Sequence, residues 1–346
     1  MSPRRIDGPD SVALTRDRPE TAGRGSAWGV DVTRARLGLA LVVVASLSSG
    51  CMRADRGSEG APAVVRAIGS AAARIPAEVA VGFVDLETGE AAYLKPDVIM
   101  HAASTMKVPV LLELFRQAAT GERSLNEPIE IRNSFTSIAD GSAYSLTPED
   151  DSETDLYDRI GEALPMRELA RRMIVRSSNL ATNLLIEEVG AARVRETMAA
   201  IGAGDMNVLR GVEDIPAFEA GLSNTTSARA LTRVMEVIAR CERGEVHDAI
   251  EPLTAADCAA MTGILTDQEF VEQIPAGLPE GVRVANKTGW ITGITHDAAI
   301  VYPEGRAPYV LTVMTRGMED HEVASRGIAS VSAAVWDSLI EPSSRR

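Results

Sequence analysis

Three short segments, far apart and in a fixed order, constrain this chain more than anything else in it: Ser104-Thr105-Met106-Lys107, Ser177-Ser178-Asn179 and Lys287-Thr288-Gly289. A Ser and a Lys three residues apart share one face of a helix, so the amine can take the proton of the hydroxyl. Ser104 is therefore a candidate nucleophile and Lys107 its base. A second hydroxyl beside an amide, Ser177 with Asn179, can pass a proton and hold a substrate amide. A Lys-Thr-Gly strand offers a cation and a hydroxyl to a carboxylate. Together they describe a serine acyl-transfer site, and the fold must bring three remote segments to one cleft.

Each segment also has a plain structural reading. Ser104 could simply cap a helix, with Lys107 solvated in its first turn. Against that, the run from His101 to Leu112 is apolar apart from the motif itself, which draws the amine inward and lowers its pKa. Ser178 or Asn179 stands where a cap is expected before the periodic run that starts at Leu180, and a loop ending in a cap can still point Ser177 into a cleft. Lys287 could keep an edge strand soluble. Gly289 beside Trp290 weakens that reading, because a glycine lets a ligand backbone come close. Trp290 either lines the cleft or belongs to the core, and His296 reads as a structural residue at a strand start.

The ordered set resembles the class A serine β-lactamases and the penicillin-binding-protein-like serine hydrolases. The resemblance runs from about Ala61 to near Ile340, with separations of 73 and 110 residues between successive motifs, and Ser178 stands where Asp is commoner. It implies backbone oxyanion donors at Ser104 and Trp290. It also implies a carboxylate that activates water against the acyl-enzyme, for which Glu213 in Leu209-Arg210-Gly211-Val212-Glu213-Asp214 is the candidate, with Asp214 and Glu219 as fallbacks. The family shows Arg-x-Glu with an Asn four residues after the Glu. Here there is one extra residue, position 217 is Ala, and Asn224 takes the place of the Asp that closes the loop, so an ion pair from Arg210 would need Asp214.

Hydrophobic periodicity supplies the frame. Ala63 to Ile75 reads as a helix, and Glu78 to Leu94 as a hairpin around Glu87-Thr88-Gly89-Glu90. Val282 to Gly289, Asp297 to Tyr302 and Tyr309 to Thr315 read as strands, and Glu319 to Leu339 as a closing helix. Between them, Val108 to Phe115, Leu164 to Val175, Leu180 to Glu188 and Ala228 to Ile238 carry helical apolar stripes. The expected fold class is α+β: an antiparallel sheet with terminal helices and an inserted all-helical lobe. The expected organisation is a leader and lipoprotein signal at 1–51, a tether at 52–62 and a catalytic domain at 63–342. Its sheet lobe covers about 63–96 and 282–342, and its helical lobe about 97–281.

In the leader, Arg34 and Arg36 precede an apolar run from Leu37 to Leu47 and then Ser48-Ser49-Gly50-Cys51. Eleven residues are too few to span a bilayer, so the run reads as a secretion signal with lipidation expected at Cys51. The expected location is the periplasmic or extracellular face of a bacterial membrane, with contact to lipid only through that anchor. A cleaved signal peptide with an incidental Cys is the alternative. Cys241 and Cys258 are seventeen apart and in no metal-binding pattern, so they form either a disulfide or two buried thiols. Without the first 50 residues the chain carries 28 basic and 44 acidic side chains, which argues against nucleic acid. No metal or cofactor is expected, and the partner is a small β-lactam or a peptidoglycan stem peptide. The leading expectation is β-lactam hydrolysis through Ser104. The alternatives are a D-alanyl-D-alanine carboxypeptidase and a β-lactam sensor that stays acylated.

Overall fold

The computed structural model describes residues 63–340. The leader with Cys51, the tether and residues 341–346 lie outside the described residues. Glu78–Asp85 (β1) alternates Val79, Val81 and Phe83 with Ala80, Gly82 and Val84, and all six residues are buried. A period of two sends the two sets to opposite faces, so a strand buried throughout needs a core on each side. A turn with Gly89 at φ 74° returns the chain into Ala91–Leu94 (β2). The other strands of this sheet come from the far end of the sequence: Arg283–Ile291 (β3), Ile294–Tyr302 (β4) and Tyr309–Arg316 (β5). They close a five-stranded sheet of order β2-β1-β5-β4-β3, whose pairings are antiparallel and set Val81 opposite Val313.

One face of the sheet packs under the terminal helices Ala63–Ala72 (α1) and His321–Ile340 (α9), where Ile68, Ile328, Val331 and Val335 meet Val79, Val81, Phe83 and Leu311. The other face joins the larger core of the helical region. That region is not the all-helical lobe expected, since three short two-stranded ladders also lie in it; its helices are Lys107–Ala119 (α2), Met166–Val175 (α3), Asn179–Val189 (α4), Ala191–Ala200 (α5), the short Ile215–Glu219 (α6), Ala228–Glu242 (α7) and Ala255–Thr266 (α8). Helix α7 lies directly on β1: a Cβ at Gly82 would fall 2.1 Å from Thr232 Oγ1. At the centre, α2 is buried from Lys107 to Phe115, which is why its apolar run has no polar side. Helices α5 and α8 are absent from the periodicity reading for a physical reason. The first buries only Val194, Thr197 and Met198, and the second is mostly small residues fastened at its start by a Thr254–Asp257 capping box. Among the described residues no helix is long and apolar enough to cross a membrane.

Of the two readings of the cysteines, the structure has the disulfide: Cys241 at the end of α7 is bonded to Cys258 in α8. A loop of this size contributes about 3 kcal/mol on the chain-entropy account. Cys241→Ala/Cys258→Ala is therefore expected to lower the urea midpoint by about that much stability, with the reduced wild type unfolding like the variant. Coincident curves for oxidised wild type and double variant would remove the disulfide from the stability of this fold.

Candidate active site

Ser104 sits in a single 3-10 turn, Ala103–Met106, immediately ahead of α2. Ala103 has φ 46°, a left-handed conformation that costs about 1–3 kcal/mol without glycine. The turn is held from both sides: the Ala103 N–H donates to His101 Nδ1 at 3.0 Å, and the Ala102 N–H donates to the Asn224 carbonyl at 2.9 Å. Burial, assisted by the charge of Arg210, lowers His101 to about 4, so at neutral pH its ring is neutral and its Nδ1 free to accept. Neither helix cap there uses a side chain, so Ser104 is not spent as a cap. It is partly exposed and lines a cleft of about 650 Å³, together with Ser177, Asn179, Glu213 and Trp290.

Lys107 lies beneath that surface, wholly buried. Its Nζ donates to the Ser177 carbonyl at 2.6 Å, to Ser177 Oγ at 3.1 Å and to Asn179 Oδ1 at 2.9 Å. Desolvation lowers its pKa to about 7, against the opposing pull of the Asp151 and Glu213 charges. Lys287 reaches the same Ser177 Oγ at 3.1 Å from the other side and donates to the Thr288 carbonyl at 2.9 Å. Burial, and then the charge on Lys107, hold Lys287 well below its ordinary pKa. One hydroxyl thus connects two buried amines, which is the arrangement a proton relay needs. The solubilising role weighed for Lys287 does not apply: β3 is an edge strand, yet this side chain has no solvent exposure.

Gly289 is where β3 crosses the nucleophile turn. A Cβ there would stand 2.7 Å from Ser104 N and 2.8 Å from Thr105 N. Thr288 is also wholly buried, and its hydroxyl has no hydrogen-bond partner. Of the two readings of Trp290, the structure has the cleft: the residue is half-buried and belongs to neither hydrophobic core. It lines the cleft, and its ring centroid lies 5.0 Å from those of Phe270 and His321. His296 is buried, with Nε2 3.0 Å from the His101 carbonyl, and contributes packing behind the turn.

Across the cleft, Asn179 bridges two ionisable groups. Its Oδ1 takes the Lys107 bond, and its Nδ2 donates to Glu213 Oε1 at 2.9 Å. Glu213 has φ 60°, and its other oxygen accepts the Thr147 N–H at 3.4 Å. Burial raises its pKa, while the Asn179 bond opposes the rise. The alternative acids are placed otherwise. Glu219 is exposed, and Asp214 caps α6 at the Ala217 N–H while accepting from the Ser137 hydroxyl and the Ile138 N–H.

The ion pair considered between Arg210 and Asp214 is not formed. Arg210 donates to the carbonyls of Leu222 and Gly211, and its guanidinium lies 5.9 Å from the Phe218 ring centre. Asn224 closes the loop in its place: its Oδ1 accepts the Leu209 and Arg210 N–H groups and its Nδ2 donates to the Arg210 carbonyl. An amide can serve where an acid was expected because it pairs with backbone and needs no cation.

Sequence reasoning passed over Asp151 and Asn183. Asn183 accepts the Val212 N–H at 2.7 Å and donates to the Val212 carbonyl at 3.0 Å, fixing the backbone just before Glu213. Gly211 makes room for it, since a Cβ at that position would fall 2.6 Å from Asn183 Oδ1. The available signal was an amide inside the apolar run Leu180 to Leu185, where a buried polar group requires partners. Among the described residues, no group of three or more His, Cys, Asp or Glu side chains is arranged to hold a metal ion.

Comparison with known proteins gives a consistent set. A family model described as the beta-lactamase enzyme family matches residues 63–339. A β-lactamase of Streptomyces albus G is 31% identical over 176 residues, 50% of this chain and 53% of that protein. The chain thus spans about half the length of the first curated relatives it matches. The Toho-2 β-lactamase of Escherichia coli is 24% identical, covering 75% of this chain and 83% of that protein. Among solved structures, a β-lactamase from Sphaerobacter thermophilus superposes with a TM-score of 0.66 at 25% identity, covering 80% of this chain and 96% of that one. PBP-A gives a TM-score of 0.66 at 24% identity over the same shares.

Proposed function

This chain belongs to the β-lactamase enzyme family, and from that premise we propose that it is a serine hydrolase that opens β-lactams through an acyl-enzyme on Ser104. The observation that carries the reading is the Asn179 bridge, because it sets an amine suited to acylation and a carboxylate suited to release on either side of one amide.

Ser104 Oγ attacks the lactam carbonyl and gives its proton to neutral Lys107. The backbone N–H groups of Ser104 and Trp290 hold the oxyanion. When the carbonyl–nitrogen bond breaks, the leaving nitrogen takes a proton through Ser177. Water then adds to the ester, Glu213 accepts its proton, and Ser104 is restored as the opened acid departs. The substrate carboxylate is held from the β3 side, where Lys287 supplies charge and the Thr288 hydroxyl has no other partner. Secretion with lipidation at Cys51 belongs to the same proposal, and incorporation of a labelled fatty acid tests it.

As an ammonium, Lys107 spends all three protons on its neighbours, and only after losing one can it serve as the base. Its pKa of about 7 sets the window. Acylation is expected to rise about tenfold from pH 6 to pH 8, following the neutral fraction. Stopped-flow acylation with a chromogenic lactam checks this, and a flat profile across that range would remove Lys107 as the base.

A second reading has its own support. A point variant of PBP-A has been solved as an acyl-enzyme complex with penicillin G, and it superposes on this chain with a TM-score of 0.65 at 23% identity. Position 217, which the resemblance expects to be Asn, is here a buried Ala with no amide to hold water. A slow-releasing penicillin-binding carboxypeptidase would look like this. An intact-mass time course with a penicillin separates the two. A transient adduct with continuing drug loss supports hydrolysis, and a lasting adduct without drug loss supports the carboxypeptidase or sensor.

A further inference from the structure

Helix α4 begins at Asn179, and the first-turn N–H groups of any helix lack partners within it. The cap, Ser178, serves only one of them: its side chain accepts the Ala181 N–H at 3.2 Å. The two N–H groups before that are taken by a residue 28 positions upstream. Both Asp151 carboxylate oxygens lie 2.9 Å from Asn179 N, and Oδ2 lies 3.0 Å from Leu180 N. Asp151 is 8% exposed and is itself fixed, accepting the Tyr157 hydroxyl at 3.0 Å and the Glu153 N–H at 3.1 Å.

We propose that Asp151 is a positioning residue of the active site. Its carboxylate anchors the start of α4 from outside the helix, and so holds the Asn179 side chain between Lys107 and Glu213. A carboxylate at a helix N-terminus is favoured by charge as well as by hydrogen bonding. The same charge reaches the site directly, since it pulls the pKa of Lys107 upward against burial and adds to the rise that burial gives Glu213. The charged groups facing Lys107 are Asp151 and Glu213 from the loops and Lys287 from β3. Removing Asp151 therefore loosens Asn179 and leaves Lys107 easier to deprotonate.

The kinetic arm of the test rests on β-lactam acylation of Ser104, and a second arm does not. In the first, Asp151→Asn and Asp151→Ala are compared with wild type by the rate of adduct formation with a penicillin. Both are expected to acylate more slowly, by about tenfold. The acid limb of the Asp151→Asn profile is expected to move to lower pH by roughly half a unit or more. Ser178→Asp in the Asp151→Ala background restores a carboxylate to the helix start and is expected to recover most of the rate. In the second arm, Lys107 is titrated by NMR of its side-chain carbon in wild type and in Asp151→Asn, which keeps the shape of the side chain. A lower midpoint in the variant supports the proposal whether or not penicillin reacts. Unchanged acylation, or an unchanged Lys107 midpoint, in folded Asp151→Asn overturns it. Wild type inert to penicillin but with the shifted midpoint in the variant would overturn the lactam reading and leave the role of Asp151 standing.

Discussion

Glu213→Gln is expected to leave Ser104 acylation within a few-fold of wild type and to slow release of the acyl group by a factor on the order of 10²–10⁴. The substitution is nearly isosteric. Gln can still accept the 2.9 Å bond from Asn179 Nδ2 through its carbonyl oxygen, so the bridge to Lys107 keeps its geometry. It loses the ability to take a proton from water. Burial already raises the Glu213 pKa, which makes the carboxylate a stronger base while it is ionised. The sign follows: wild-type release should weaken as pH falls toward that raised pKa, and Glu213→Gln should show no such limb. Intact mass after mixing with a penicillin reads both steps, because the adduct should form quickly and persist. Release at the wild-type rate would take the general base away from Glu213. The remaining acids near the loop could not easily inherit the task, since Asp214 is occupied at the start of α6 and Glu219 faces solvent.

The parts of this site that are legible in the sequence are those whose chemistry is local. Ser104 with Lys107, Ser177 with Asn179, and Lys287 through Trp290 each announce themselves within four residues, and the sheet that gathers them follows from β-rich segments at both ends of the chain. What stays hidden is held by contacts that no local pattern encodes. Asp151 lies in a polar loop and meets α4 across 28 residues. Asn224 secures Arg210 through backbone groups, so a search for a charged partner of the guanidinium points to Asp214 and misses the amide. For Cys241 and Cys258 the spacing fits a bridge and two thiols equally, and only the packing of α7 against α8 decides between them. Burial is hidden in a further sense. A lysine at the start of an apolar helix suggests a lowered pKa, but two lysines meeting at one hydroxyl require the fold.

Gly289→Ala is expected to cut acylation by roughly 10²–10³ while the protein stays folded. The argument is one of space. The added methyl would lie 2.7 Å from Ser104 N, 2.8 Å from Thr105 N and 3.2 Å from Ala103 Cβ, and two of those three are backbone atoms. Nothing there is the end of a flexible side chain, so either β3 backs away or the 3-10 turn shifts. Ala103 already holds φ 46°, and the turn is pinned through His101 and Asn224, which leaves the edge strand as the part that yields. Moving β3 carries the Trp290 N–H away from the Ser104 N–H, and two donors meant for one oxygen then no longer converge; a displacement of about 1 Å suffices for a loss of this size. Gly69→Ala is the control. It lies in α1 with nothing within 4 Å of the new Cβ, and it should stabilise the helix by up to about 1 kcal/mol with no change in rate. Acylation by Gly289→Ala within threefold of wild type would mean that the oxyanion is not held between the Ser104 turn and β3.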